Sequence, residues 1–138
     1  MRHFFSFLLL MMVIASSCNS SNSERPSAQY ESKKESLADM ERGNPLKFLK
    51  VNGDSHTNLI NKEVVQGTIS NSATMAAYKD VEVRITFKDK SGSVIEKNTK
   101  IINEVVQPNS SSDFKVKVKK PKGTMSVTLD ITGAVAEK

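Results

Sequence analysis

Between residues 81 and 131 the chain alternates apolar and polar side chains three times over. Val81, Val83, Ile85 and Phe87 are separated by Glu82, Arg84 and Thr86. Phe114, Val116 and Val118 alternate with Lys115, Lys117 and Lys119, and Met125, Val127, Leu129 and Ile131 with Ser126, Thr128 and Asp130. Side chains two residues apart share a direction in an extended strand, so each run predicts a strand with one dry face and one wet face. A helix would scatter the same apolar residues around its axis.

Shorter apolar runs lie at 46–51, 59–69, 94–95, 101–102 and 105–106. The doublet Ile101-Ile102 predicts a bulge or a strand buried on both faces. Turn-forming residues separate the runs: Asn52-Gly53-Asp54, Asn71-Ser72, Asp89-Lys90-Ser91-Gly92, Pro108-Asn109-Ser110 and Pro121-Lys122-Gly123. Strands at this spacing predict an all-β fold, a single antiparallel β-sandwich of six or seven strands over residues 46–138.

The first 18 residues have another character. Arg2 and His3 precede an apolar run from Phe4 to Ile14, followed by Ala15-Ser16-Ser17 and then Cys18, the single cysteine of the chain. A basic start, an apolar middle and a small-residue end make a secretory signal peptide over residues 1–17, and the apolar run is shorter than the roughly 20 residues a membrane-spanning helix needs. One cysteine permits no intrachain disulfide, and a free thiol in an oxidising compartment calls for an explanation.

Residues 18–45 run from Asn19-Ser20-Ser21-Asn22-Ser23 through Pro26 and a mixed-charge stretch to Gly43-Asn44-Pro45. So few apolar residues do not offset the entropy of ordering the backbone, so this segment is expected to be a disordered, flexible tether reaching roughly 30 Å as a random coil. Within it, residues 31–42 hold good helix formers, with Leu37 and Met40 three apart. That is one weak amphipathic turn, which predicts a transient helix.

Ala15-Ser16-Ser17-Cys18 resembles a bacterial lipobox, with Ala15 where Leu is commoner. The resemblance implies a diacylglyceryl group on the Cys18 sulfur, cleavage before Cys18 and a further acyl chain such as palmitate on the new amino terminus. Each buried methylene contributes about 0.8 kcal/mol, so two or more chains anchor stably where one is marginal. In one Gram-negative phylum an acidic cluster after such a cysteine directs the protein to the cell's outer face. Here the first acid is Glu24, which points instead to the periplasmic face of the outer membrane.

A second resemblance lies in the β region. Val65-Gln66-Gly67-Thr68-Ile69-Ser70-Asn71, the run from Tyr78 to Phe87, the turn from Asp89 to Gly92 with Val94-Ile95, and the stretch from Pro108 to Phe114 are similar to the small bacterial immunoglobulin-like FxLYD domains, and to fibronectin-III-type sandwiches generally. The likeness covers roughly residues 60–132 and departs at Phe87-Lys88-Asp89, where the family often places an aromatic before the aspartate. It implies an immunoglobulin-like fold and an envelope setting, and it carries no catalytic residues.

After removal of the leader, His56 is the one histidine left. A Ser-His-acid arrangement would have to use it, in the turn expected at residues 53–56, and a loop histidine without a role is the better reading. Zinc would lack soft ligands. Calcium at Asp89, or near Asp80 and Glu82, lacks an Asp-x-Asp-x-Asp loop, and residues 89–92 read as a hairpin turn. No enzyme, cofactor or metal is therefore expected.

The one surface feature with shape is Lys115, Lys117, Lys119, Lys120 and Lys122. Two readings are open: a strip that binds anionic lipid or glycan, or a lysine-rich strand kept soluble and guarded against edge-to-edge pairing. Nucleic acid is a poor partner because the strip lacks stacking aromatics. Residues 71–78 form a loop in which Met75 and Tyr78 could meet a partner, though Tyr78 is better placed packing at the start of the next strand. Together these features predict a lipid-anchored envelope protein whose sandwich binds or assembles with an envelope protein or glycan.

Overall fold

The structure is a computed structural model that describes residues 28–57 and 62–138. The leader, Cys18 and the first part of the tether lie outside the described residues, as do Leu59 and Ile60. Helices α1 (Ala28–Gly43) and α2 (Pro45–Phe48) lead into six strands: β1 (Leu49–Thr57), β2 (Lys62–Asn71), β3 (Tyr78–Lys88), β4 (Val94–Ile102), β5 (Ser110–Lys119) and β6 (Ser126–Ala136). The strands build two antiparallel three-stranded sheets, ordered β1-β2-β5 and β4-β3-β6. This is the all-β sandwich the alternation predicts, with six strands.

The alternating runs face inward as their period requires. Val81, Val83, Ile85 and Phe87 are wholly buried on β3, which has a partner strand on each side. Phe114 and Val118 of β5 meet them from the other sheet, while Val127, Leu129 and Ile131 of β6 are only partly buried. The turn at Asp89 forms as expected: its Oδ1 accepts from the Ser91 and Ser93 amides and the Ser91 hydroxyl, and Gly92 takes φ +83°.

Three local expectations are corrected. Asn52-Gly53-Asp54 is not a turn, because β1 runs straight through it. Gly53 lies opposite Gly67 on β2, and a Cβ at either would sit 2.4 or 2.3 Å from a backbone oxygen of the other strand. These glycines serve close approach of two strands, which a turn-residue reading cannot distinguish from a bend. The doublet at 101–102 is neither bulged nor doubly buried: Ile101 is 58% exposed and Ile102 is 5% exposed on an edge strand. Leu46 belongs to α2, which Pro45 starts.

The tether also differs from its expectation in its second half. Residues 28–43 form a helix of 16 residues, with Glu31 in the first turn and Arg42 in the last complementing its dipole. What holds it to the sandwich is mainly polar. Glu41 is 1% exposed. Its Oε1 accepts from the Thr74 amide at 2.8 Å and the Thr74 hydroxyl at 2.9 Å, and its Oε2 from the Met75 and Ala76 amides at 2.8 and 3.0 Å. The Tyr78 hydroxyl donates to the Glu41 carbonyl oxygen at 2.7 Å.

Burial pushes the Glu41 carboxyl upward, but the hydrogen bonds from Thr74, Met75 and Ala76 outweigh it and hold the group below the ordinary glutamate range. Burial, and then the Glu41 charge, push the Tyr78 phenol up, which keeps it a donor. The other side of the same loop is tied by buried Asn71, whose Nδ2 donates to the carbonyls of Ala76, Val106 and Gln107. Residues 71–78 are thus an internally braced loop that receives α1. Tyr78 packs at the start of β3, as expected, and is completely buried.

Candidate functional site

β5 is an edge of its sheet and pairs with β2 so that Lys115 lies opposite Gln66, Lys117 opposite Val64 and Lys119 opposite Lys62. Phe114, Val116 and Val118 point into the sandwich. Lys115, Lys117 and Lys119 therefore share the outer face, all exposed, at a spacing of roughly 7 Å per two residues. Register adds a fourth cation, Lys62, which sequence reading missed because it lies on another strand more than 50 residues from Lys119. Cross-strand position was the only signal that could have found it.

The remaining two lysines part company. Lys120 turns inward: its Nζ is 2.9 Å from the Thr57 hydroxyl and 3.4 Å from the Glu63 carboxylate. Glu63 is 3% exposed. Burial pushes its carboxyl up, while hydrogen bonds from Ser55 and Thr57 and the Lys120 charge together bring it below the usual range. Lys120 is thus committed to neutralising a buried acid. Lys122 is exposed in the connection to β6.

The outer face is not uniformly basic. Asp113 continues the line of the lysines beyond Lys115 and accepts a hydrogen bond of 2.6 Å from Thr68. Around it lies an open depression of about 900 Å³ lined by Asn52, Asp54, Gln66, Thr68, Asp113 and Lys115 among others. The acids set a boundary, so an anion would meet its strongest field between Lys117, Lys119 and Lys62. Val64 lies on this face between His56 and Lys117 and is only 3% exposed.

His56 sits exposed on the outer face of β1, on a strand and not in a turn. Asp80 takes φ +49° at the irregular start of β3, and Glu82 accepts from Thr132 at 3.3 Å. Among the described residues no group of three or more His, Cys, Asp or Glu could hold a metal ion, and no helix is long and apolar enough to cross a membrane. No family model matches the chain, and neither a curated protein nor a solved structure matches it.

Proposed function

We propose that this chain is a lipid-anchored bacterial envelope protein, of FxLYD-like type, whose β-sandwich works as a non-enzymatic binding or assembly module. The observation that carries the reading is Cys18, the single cysteine of the chain, directly after an apolar leader and Ala15-Ser16-Ser17. The latch at Glu41 supports it by setting a short reach. With α1 starting at Ala28, nine residues separate it from Cys18, and they extend at most about 35 Å. A module held this close to a bilayer meets partners of the envelope.

Cys18→Ala is expected to move the protein from the membrane fraction to the soluble envelope fraction. Unchanged fractionation would overturn the anchor.

A second reading, capture of an anionic lipid or glycan, is favoured by one feature, the convergence of Lys62 with Lys115, Lys117 and Lys119 on one face. Lysines near an anionic surface contribute about 1 kcal/mol each, so changing Lys115, Lys117 and Lys119 together to Gln should weaken binding roughly a hundredfold at low salt. Unanchored Cys18→Ala protein on phosphatidylglycerol vesicles or lipopolysaccharide provides the measurement. Binding that survives the triple change ends this reading.

A further inference from the structure

At the end of the sandwich away from α1, large apolar side chains stand in water. Val94, Ile95 and Met125 are all exposed, Met125 at 70%. Large apolar residues scattered singly on a surface need no explanation, whereas several together inside a polar rim mark a contact site. Strand pairing brings these together. Val94 and Ser126 flank Lys88 of β3, and the Met125 amide donates to the Lys88 carbonyl oxygen at 2.8 Å. Ile95 reaches the corner that joins β5 to β6, where its Cδ1 would lie 3.9 Å from a Cβ on Gly123.

Lysines rim this tip. Lys88 lies between the apolar residues, Lys90 is in the turn that follows, Lys122 precedes Gly123, and Lys119 ends β5 opposite Lys62. They outnumber the acids. Asp89 is occupied by the Ser91 and Ser93 amides, Glu63 is neutralised by Lys120, and Glu96 lies opposite Phe87. The other end of the sandwich carries both signs, with Arg42, Lys47 and Lys79 set against Asp39, Asp80 and Glu137. β3 joins the two ends. Tyr78 at its start bonds to Glu41 of α1, and Lys88 at its end lies roughly 33 Å further along, at about 3.3 Å per residue. α1 joins the sandwich at the Tyr78 end, and its residues 29–36 are exposed, so the chain that leads back to Cys18 departs from the end opposite the basic tip.

We propose that this tip docks on a second bilayer bearing anionic phospholipid, so that the anchored chain spans the gap between two membranes. The inference rests on the lipid anchor and on the anion-capture reading, and it moves the point of contact from the outer face of β5 to the tip. Two kinds of side chain act there together. The lysines are drawn to the headgroup phosphates, while Val94, Ile95 and Met125 enter the boundary between headgroups and acyl chains. A soluble acidic polymer would engage the lysines alone and leave the apolar side chains in water, and this singles out a bilayer as the occupant.

The chain has no tryptophan, so a single one introduced at the tip reports on its own surroundings. In unanchored Cys18→Ala protein, Met125→Trp should shift its emission to the blue on phosphatidylglycerol vesicles, whereas Ser111→Trp, at the other end of β5, should not. Lys90→Gln combined with Lys122→Gln should weaken binding to those vesicles roughly thirtyfold at low salt. With the anchored chain in phosphatidylcholine vesicles, added phosphatidylglycerol vesicles should cluster with them, and the same pair of changes should abolish the clustering. Vesicle binding with no shift at position 125 overturns the tip as the point of contact and leaves the capture reading standing. A blue shift without clustering overturns the bridge between membranes, and no vesicle binding at all overturns both the tip and the capture reading.

Discussion

Glu41→Ala is expected to destabilise the domain by about 3 kcal/mol and to release α1 from the sandwich. The change removes the acceptor for three amides and a hydroxyl at Thr74, Met75 and Ala76. A buried donor left without a partner costs about 1–3 kcal/mol, and a hydrogen bond to a charged group contributes about 1.5–3 kcal/mol. Thr74 is exposed and can turn to water, so the costs do not simply add. Urea unfolding followed by circular dichroism measures the loss, and hydrogen exchange at the Met75 and Ala76 amides locates it. A loss under about 0.5 kcal/mol, the range of ordinary surface substitutions, would show that the helix is held by something else.

The same carboxylate makes stability depend on acid. Glu41 and Glu63 both ionise below the ordinary value of 4.5 in the folded protein. Their contribution is complete above that value and is lost as pH falls through the lower folded values, because the unfolded chain then binds protons the folded chain resists. The urea midpoint should fall steeply between neutral pH and pH 3. Glu41→Gln, which cannot ionise, should start from a lower midpoint and lose less of it, flattening the profile.

Gly67→Ala should be the most damaging single methyl group in the sandwich, costing about 3 kcal/mol or more. Its Cβ would lie 2.3 Å from the Asn52 carbonyl oxygen and 2.8 Å from the Gly53 Cα, both backbone atoms that yield only if β1 leaves β2. Gly53→Ala meets the Gln66 oxygen at 2.4 Å in the same way. Gly43→Ala is the control: nothing lies within 4 Å of its Cβ, and a helix-terminal alanine should be neutral or stabilise by about 0.4–1 kcal/mol. Thermal unfolding of the three variants ranks them, and equal melting temperatures would show that the strand contact at the glycine pair is dispensable.

How far the fold could be read along the chain depended on the range of the interaction. The strands of β3, β5 and β6 were legible in residues 81–87, 114–118 and 125–131, because a period of two needs no partner to be recognised. The hairpin at Asp89 was equally plain, since a carboxylate two residues from an amide and a glycine at positive φ are local chemistry. Gly53 was misread as a turn because its role is set by Gly67 on another strand. Helix α1 reads as transient because periodicity registers apolar faces, whereas it is held by the buried Glu41 carboxylate against loop amides, by the Tyr78 hydroxyl on the Glu41 carbonyl oxygen and by the burial of Ala38. Of the five lysines expected to act together, three share a face, Lys120 is drawn to Glu63, and Lys62 joins them across the sheet.

The order of apolar and polar residues alone determined that the chain makes a sandwich and which faces of its strands are dry, since each of these follows from side chains within a few positions of one another. Only the tertiary structure decided which strands lie at the edges and that the chain ahead of β1 is latched by Glu41. Those depend on pairing between segments tens of residues apart. Strand order is chosen by the closure of the whole core, and no local pattern carries it.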